Sequence, residues 1–464
     1  MLRRFNVKNF LSFSEKEDGY SEEFSMIPGK VRNKKDHLIE NGKDRLLKFA
    51  AIYGANAAGK SNIVKAIYFM RQVVVSGIPN RYTDKYCRTR IENKEKPSYF
   101  EVEISLDNKN YTYGFEIILN SKQIISEWLV ELDDNGDEKE ELFSRDLVYH
   151  KYSIAGWKNN EELSNRLDIY MSDICEDDSI LFLSSMNIKK GRFYKDFPDA
   201  RILFEVYYWF DQILQINFPD EPLSDYSYLG QSGNVEEICN LIAAFGTGIS
   251  DYKMAKVPKE TITDDMSEED RDRFNDIIEN MVVKINSEVN RSAKAKLVMR
   301  SKVSFFIVTI EKNMEPLYET IRFYHNSKDF SFSLAEESDG TIRLLDLLVV
   351  LLNSQNKVYI IDELDRCLHP CLTYKFVEEF LKAIELNKVQ LIVTTHESRL
   401  LDFDLLRRDE IWFVNKKNDG ESDIYSLEEY NTRFDQKIDK AYLEGRYGGV
   451  PIFNTIFPIK ESNE

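Results

Sequence analysis

The segment GANAAGKS, residues 54–61, constrains this chain more than any other. It fits G-x-x-x-x-G-K-[ST], and its surroundings fit as well. The apolar run Phe49, Ala50, Ala51, Ile52 leads into Tyr53, and residues 62–70 carry apolar side chains at helical spacing, so a strand, a glycine-rich turn and a helix are expected in that order. In such a turn Gly54 and Gly59 take backbone angles that other residues resist, which lets successive N–H groups face phosphate oxygens at the positive end of the helix. Lys60 would neutralise the β and γ phosphates, and Ser61 would hold Mg²⁺. ATP with Mg²⁺ is the expected ligand. Its expected contacts are Gly54, Ala55, Asn56, Ala57, Ala58, Gly59, Lys60, Ser61 and Asn62.

A chain of 464 residues can bury a large core and divide into two domains or lobes. Its 62 Lys and Arg against 80 Asp and Glu, a formal charge of −18, argue against a broadly basic nucleic-acid surface, although a local basic groove stays open. The five cysteines, Cys87, Cys175, Cys239, Cys367 and Cys371, are scattered and have no secretory leader ahead of them. Reduced thiols and a cytoplasmic setting are therefore expected. No apolar run reaches the length of a membrane span, so no membrane contact is expected.

Along the chain the texture changes twice, and the fold class this predicts is α/β. Residues 1–132 hold short β-type runs, among them FEVEISL (100–106) and YTYGFEIIL (111–119), around the phosphate loop, and read as one ATPase lobe. Residues 133–317 alternate charge-rich stretches such as DDNGDEKEE and TDDMSEEDRDRF with helical patterns near 202–216 and 274–285, and read as a largely helical insert. In residues 318–415 strands and helices alternate again, a second ATPase lobe, and residues 416–464 form a polar and aromatic tail that packs on the head or a partner.

The second lobe supplies the rest of the chemistry. KVYIIDEL, residues 357–364, is an apolar strand ending in two acids, as expected where a buried strand delivers carboxylates beside a phosphate loop. Asp362 would bind Mg²⁺ through water, and Glu363 would polarise the attacking water. The strand VQLIVTTH, residues 389–396, ends on His396, which could sense the γ-phosphate and hold that water in line. Two other patterns carry less. Cys367, His369 and Cys371 in CLHPC lack a partner cysteine pair for a zinc site, so packing is the better reading. Trp128, Trp157, Trp209 and Trp412 are scattered rather than interleaved with a basic cluster, which predicts packing as well.

SLAEESDGTIRLLDLLVVLL, residues 333–352, sets Ser338, Asp339, Gly340 and Thr341 before a strongly apolar helix. Taken alone this is a helix cap. In the order GANAAGKS, ESDGTIR, VYIIDE, TTH it resembles the signature motif of ABC-type ATPases, which implies that Ser338 and Gly340 clasp the γ-phosphate held by a second protomer, and that residues 365–369 lie where two lobes meet. The opening NVKNFLSF, residues 6–13, is similar to the NF-x-SF start of SMC and RecF-like proteins. IRFYHN (321–326), DELDRCLHP (362–370), RRDEIWFV (407–414) and YLEGRYGGVP (442–451) look like the RloA and AbiL group of prokaryotic defence ATPases, related to the ATPase half of OLD proteins. The signature departs from LSGGQ, and no Q-loop glutamine can be assigned, Gln72 and Gln123 being weak candidates. Too little chain follows His396 for the TOPRIM nuclease of OLD proteins. The resemblance thus implies an ATP-dependent head-to-tail dimer, with higher oligomers open, that controls a separately encoded nuclease or other effector in anti-phage defence. A RecF-type DNA-binding repair ATPase and a protein-docking ATPase without nucleic-acid contact stay as alternatives.

Overall fold

The computed structural model describes residues 1–445 apart from 17–18, 32, 43, 224–225, 231–234, 265, 289, 291–292, 302, 328, 353–355, 384–387 and 430–437. Most of the YLEGRYGGVP segment, from residue 446 onward, lies outside the described residues. Two compact units divide the chain. The first comprises Met1–Ile216, Gln355–Leu364 and Leu381–Glu464, and the second Asn217–Ser354 and Asp365–Phe380.

The first unit is built on a six-stranded sheet in the order Leu214–Asn217, Lys357–Ile361, Val389–Thr394, Phe49–Tyr53, Ile411–Lys416, Ser422–Ser426. Its middle strands run parallel, and the last pair is antiparallel. Phe49–Tyr53 and Val389–Thr394 are buried at every position. Continuous apolar runs of this kind suit parallel strands covered on both faces. The helix Lys60–Ser76 buries Ile63, Val64, Ile67, Met70, Val73 and Val74 along one stripe. It stops at Gly77, whose φ of 82° closes the last turn through its N–H to the Val73 carbonyl.

A second sheet of seven strands, in the order Lys151–Ser153, Glu138–Asp146, Gln123–Leu132, Lys109–Ile118, Ser98–Leu106, Leu2–Lys8, Glu22–Ser25, belongs to the same unit. Its central hairpin turns at Asp107 and Asn108, both with positive φ, the geometry of a two-residue primed turn. Gln390 ties the two sheets together: its side-chain amide accepts from the Leu2 N–H at 2.7 Å and donates to the Leu2 and Leu47 carbonyls. Burial is complete at the ion pair Glu127–Arg145, 3.0 Å, which joins the seven-stranded sheet to the segment 174–183. Glu127 also accepts from the Tyr113 hydroxyl and from the N–H groups of Phe182 and Leu183, while Arg145 donates to the carbonyls of Ile174 and Asp177. A buried pair so fully hydrogen-bonded fixes one arrangement, because removing either partner would leave the other charge uncompensated.

The second unit carries a four-stranded antiparallel sheet, Asp251–Lys256, Leu317–Tyr324, Phe305–Glu311, Lys294–Arg300. The helix Glu268–Ser287, capped by Ser267, lays Phe274, Ile278 and Ile285 against Val308 and Ile310. The acidic texture of residues 133–317 thus conceals strands as well as helices. Apolar runs such as FFIVTIE are short, and flanking charge outweighs them in a window long enough to judge helical period.

Candidate nucleotide site

The expected strand, turn and helix are present, with Gly59 as the residue before the helix at a φ of 118°. A Cβ on Gly59 would come within 2.7 Å of Ser422 Oγ and 2.9 Å of Ser12 Oγ. Three hydrogen bonds hold the loop at this point. Asn62 Nδ2 donates to Ser12 Oγ (2.8 Å), Ser12 and Ser422 hydroxyls meet at 2.8 Å, and Ser422 Oγ donates to the Ala58 carbonyl (2.6 Å). With one proton per hydroxyl, Ser12 must donate to Ser422. Ala57 sits at a φ of 62°, an uncommon conformation for a residue with a side chain. Lys60 is 6% exposed, and its ammonium donates to the carbonyls of Gly54 (2.7 Å) and Ala55 (3.1 Å).

The acidic strand delivers its carboxylates here. Ser61 Oγ donates to Asp362 Oδ1 at 3.0 Å, across 301 positions of sequence. Thr394 donates to the same Asp362 oxygen at 2.6 Å and accepts the Glu363 N–H at 2.8 Å, so one buried hydroxyl holds both acids. Glu363 has a φ of 52°, a strained backbone for a side-chain-bearing residue and a conformation that concentrates at functional sites. His396 follows the strand Val389–Thr394 and is exposed.

These residues suit Mg²⁺·ATP. A hydroxyl and a carboxylate already in contact supply the two hard oxygen donors that Mg²⁺ takes from a protein when phosphates and water complete its shell. The turn around Gly59 leaves no space for a Cβ on its inner side. Among the described residues no cluster of three or more His, Cys, Asp or Glu is placed to hold a metal by itself. Cys367 and Cys371 are exposed, and the Cys371 N–H donates to His369 Nδ1 within its own loop.

Ser338 and Gly340 belong to the second unit. Ser338 caps the helix Asp339–Leu352, its Oγ accepting the Thr341 N–H at 3.1 Å, and it is exposed. Gly340 lies so close to the segment after the acidic strand that a Cβ would reach 2.9 Å from the Cys367 carbonyl. Gln72 accepts from Arg81 and Gln123 donates to Asp178, so both are engaged within their own surroundings. The strand beside Lys357–Ile361 on its outer edge is instead Leu214–Asn217, where the chain leaves the first unit.

The sequence reading missed Ser12, Ser422 and Thr394 as individual contributors. Ser12 lies in the quoted NFLSF and Thr394 in the quoted TTH, but a hydroxyl gives no periodic signal. Ser422 falls in a polar turn-rich stretch with nothing to distinguish it. Of the tryptophans, Trp157, Trp209 and Trp412 are buried, and the indole N–H groups of Trp128 and Trp157 donate to Glu101 and the Asp199 carbonyl.

The sequence family described as "AAA domain, putative AbiEii toxin, Type IV TA system" matches residues 49–155 and 249–402, more than half of the chain. The chain belongs to this AAA-domain family. The matched blocks contain the phosphate loop, the signature segment, the acidic strand and His396. The fold is accordingly α/β, of the P-loop ATPase class. Similar solved structures include an SmcHead bound to the C-winged helix domain of ScpA (15% identity, TM-score 0.41, 92% of this chain and 97% of that one). They also include an SMC head domain from Thermotoga maritima (14%, 0.35, 92% and 98%). A third is an Smc head domain with an extended coiled coil bound to the C-terminal domain of ScpA derived from Pyrococcus furiosus (14%, 0.34, 96% and 98%). No curated protein matches the chain. Among the described residues no helix is long and apolar enough to cross a membrane.

Proposed function

We propose that this AAA-domain protein is an ATP-hydrolysing switch of the RloA and AbiL-like kind, closing head to tail with a second copy on ATP and reopening after hydrolysis. The observation that carries the reading is the cluster in which Ser61 touches Asp362 while Thr394 holds both Asp362 and Glu363. Lys60 faces the β and γ phosphates, and the Gly54–Asn62 turn supplies backbone N–H groups to them. Ser61 and Asp362 would hold Mg²⁺, which would supply positive charge to the phosphates. Glu363 accepts the proton of the attacking water as its oxygen bonds to the γ-phosphorus and the bond to the bridging oxygen of ADP breaks. His396 orients that water.

In the closed pair, Ser338 and Gly340 of one protomer complete the site of the other. The cycle controls a separately encoded effector, a nuclease by the family resemblance, in prokaryotic anti-phage defence in the cytoplasm. DNA is a candidate ligand of the closed state, and binding to it would weaken steeply with salt.

Light scattering of the purified protein with and without ATP tests the closure. The wild type is expected to dimerise with ATP, whereas Ser338→Arg binds ATP within about twofold of wild type and stays monomeric, because bulk and charge enter a packed interface. Losing the Ser338 cap costs only about 1 kcal/mol of stability, so the variant remains folded. A Ser338→Arg protein that dimerises on ATP as the wild type does would contradict the shared site.

A further inference from the structure

Within the first unit, the antiparallel pair Ile411–Lys416 and Ser422–Ser426 touches the phosphate turn. Lys416 Nζ donates to the Ala57 carbonyl at 3.4 Å, Ser422 Oγ donates to the Ala58 carbonyl at 2.6 Å, and the Val414 carbonyl would stand 2.5 Å from a Cβ on Gly54. The Lys416 contact is exposed, whereas Ser422 is 1% exposed and its bond is the short one.

That bond fixes more than a carbonyl. A peptide unit is planar and trans, and none of the described peptide bonds is cis, so the Ala58 C=O and the Gly59 N–H point to opposite sides of one plane. With the carbonyl turned toward Ser422, the Gly59 N–H is turned away from it. Among the described residues no backbone carbonyl accepts from that N–H. An N–H left open one residue before the helix Lys60–Ser76 is a donor of the kind that phosphate oxygens accept. Were the plane to turn over, a carbonyl oxygen would take the place of the N–H and repel phosphate. Gly59 has no Cβ, so its own backbone resists such a turn less than any other residue would. The restraint has to come from outside the turn.

Ser422 supplies it and is itself held. Its N–H donates to the Ser12 carbonyl at 2.8 Å, and Ser12 Oγ accepts from Asn62 and donates to Ser422 Oγ. Each hydroxyl has one proton, so with Ser12 donating to Ser422, the Ser422 proton is committed to Ala58. Both serines lie outside residues 49–155 and 249–402, so the segments matched to the family do not contain this restraint.

We propose that Ser422 is a positioning residue for ATP: its buried hydroxyl holds the Ala58–Gly59 peptide with the Gly59 N–H toward the phosphates, and phosphate affinity depends on that hydrogen bond. This rests on the reading of residues 54–62 as the nucleotide site.

Fluorescent-nucleotide titration of the full chain tests it, with wild type, Lys60→Ala and Ser422→Ala side by side. Ser422→Ala is expected to weaken ATP binding by about tenfold, and to weaken by the same factor inorganic tripolyphosphate, which displaces the nucleotide but has no base. Ser12→Ala leaves the Ser422 proton on Ala58 and is expected to weaken both by no more than about threefold, adding nothing in the Ser422→Ala background. Should Ser422→Ala not fold, Ser422→Cys keeps a side chain of similar shape with a poor donor and is expected to lose affinity in the same way. A lower Tm with unchanged affinity overturns the proposal, as does a loss seen with ATP and absent with tripolyphosphate. In both of these cases, loss of binding in Lys60→Ala leaves the nucleotide site itself standing. A wild type that binds no ATP overturns the site and the proposal together.

Discussion

Lys60→Ala is expected to weaken ATP binding by about 3 kcal/mol or more, on the order of a hundredfold in Kd, with the fold retained. The ammonium is the one cation that the turn itself supplies, and it lies where two of the turn's carbonyls converge. A charge-assisted contact to phosphate in a partly desolvated turn is stronger than an exposed ion pair, which sets this substitution apart from loss of a surface lysine. Removing Lys60 also leaves the Gly54 and Ala55 carbonyls to water, so a modest fall in Tm accompanies the loss. Fluorescent-nucleotide titration checks the prediction. Wild-type affinity in Lys60→Ala would remove the turn from the account.

Glu363→Gln is expected to leave ATP binding intact and lower turnover by roughly two to four orders of magnitude, the range a positioned general base contributes. Gln keeps the shape of Glu and cannot accept the water's proton. The left-handed backbone at this position is equally strained for both residues, so stability is expected to change little. In the proposed cycle reopening depends on hydrolysis, so the variant should accumulate as an ATP-bound dimer. Single-turnover phosphate release, read beside light scattering, separates the two effects. Unchanged turnover would move the base elsewhere, with His396 the first residue to substitute.

What the sequence disclosed follows from how local each signal is. GANAAGKS marks a turn whose conformation is set by its own glycines and its flanking strand and helix, so the whole motif is legible within one short segment. The acidic strand is legible for a similar reason, since four consecutive apolar residues before two acids have few uses outside a covered sheet. Ser61 and Asp362 lie 301 positions apart, and their contact could be expected only from the order of motifs. Thr394 and Ser422 act through one hydroxyl each, and neither hydropathy nor spacing separates them from other polar residues. The strands between residues 133 and 317 were hidden by charge: Lys294–Arg300 alternates KAKLVMR, with lysines on one side that mask a strand packed beneath the helix Glu268–Ser287. Arg300 ends that strand, and nothing in the sequence announces that its guanidinium is buried.

The claim on which the proposed switch depends is that each site draws residues from two chains. Mixing Lys60→Ala protein with Ser338→Arg protein tests it most directly. Each variant alone should hydrolyse ATP at a small fraction of the wild-type rate, since one lacks the phosphate cation and the other cannot close. In a mixed dimer, one of the two composite sites combines the intact Lys60 of one chain with the intact Ser338 of the other. With heterodimer formation verified by differently tagged chains, the account predicts that the mixture recovers a measurable part of wild-type turnover. A Ser338→Arg protein that hydrolyses ATP at the wild-type rate as a demonstrated monomer would contradict it.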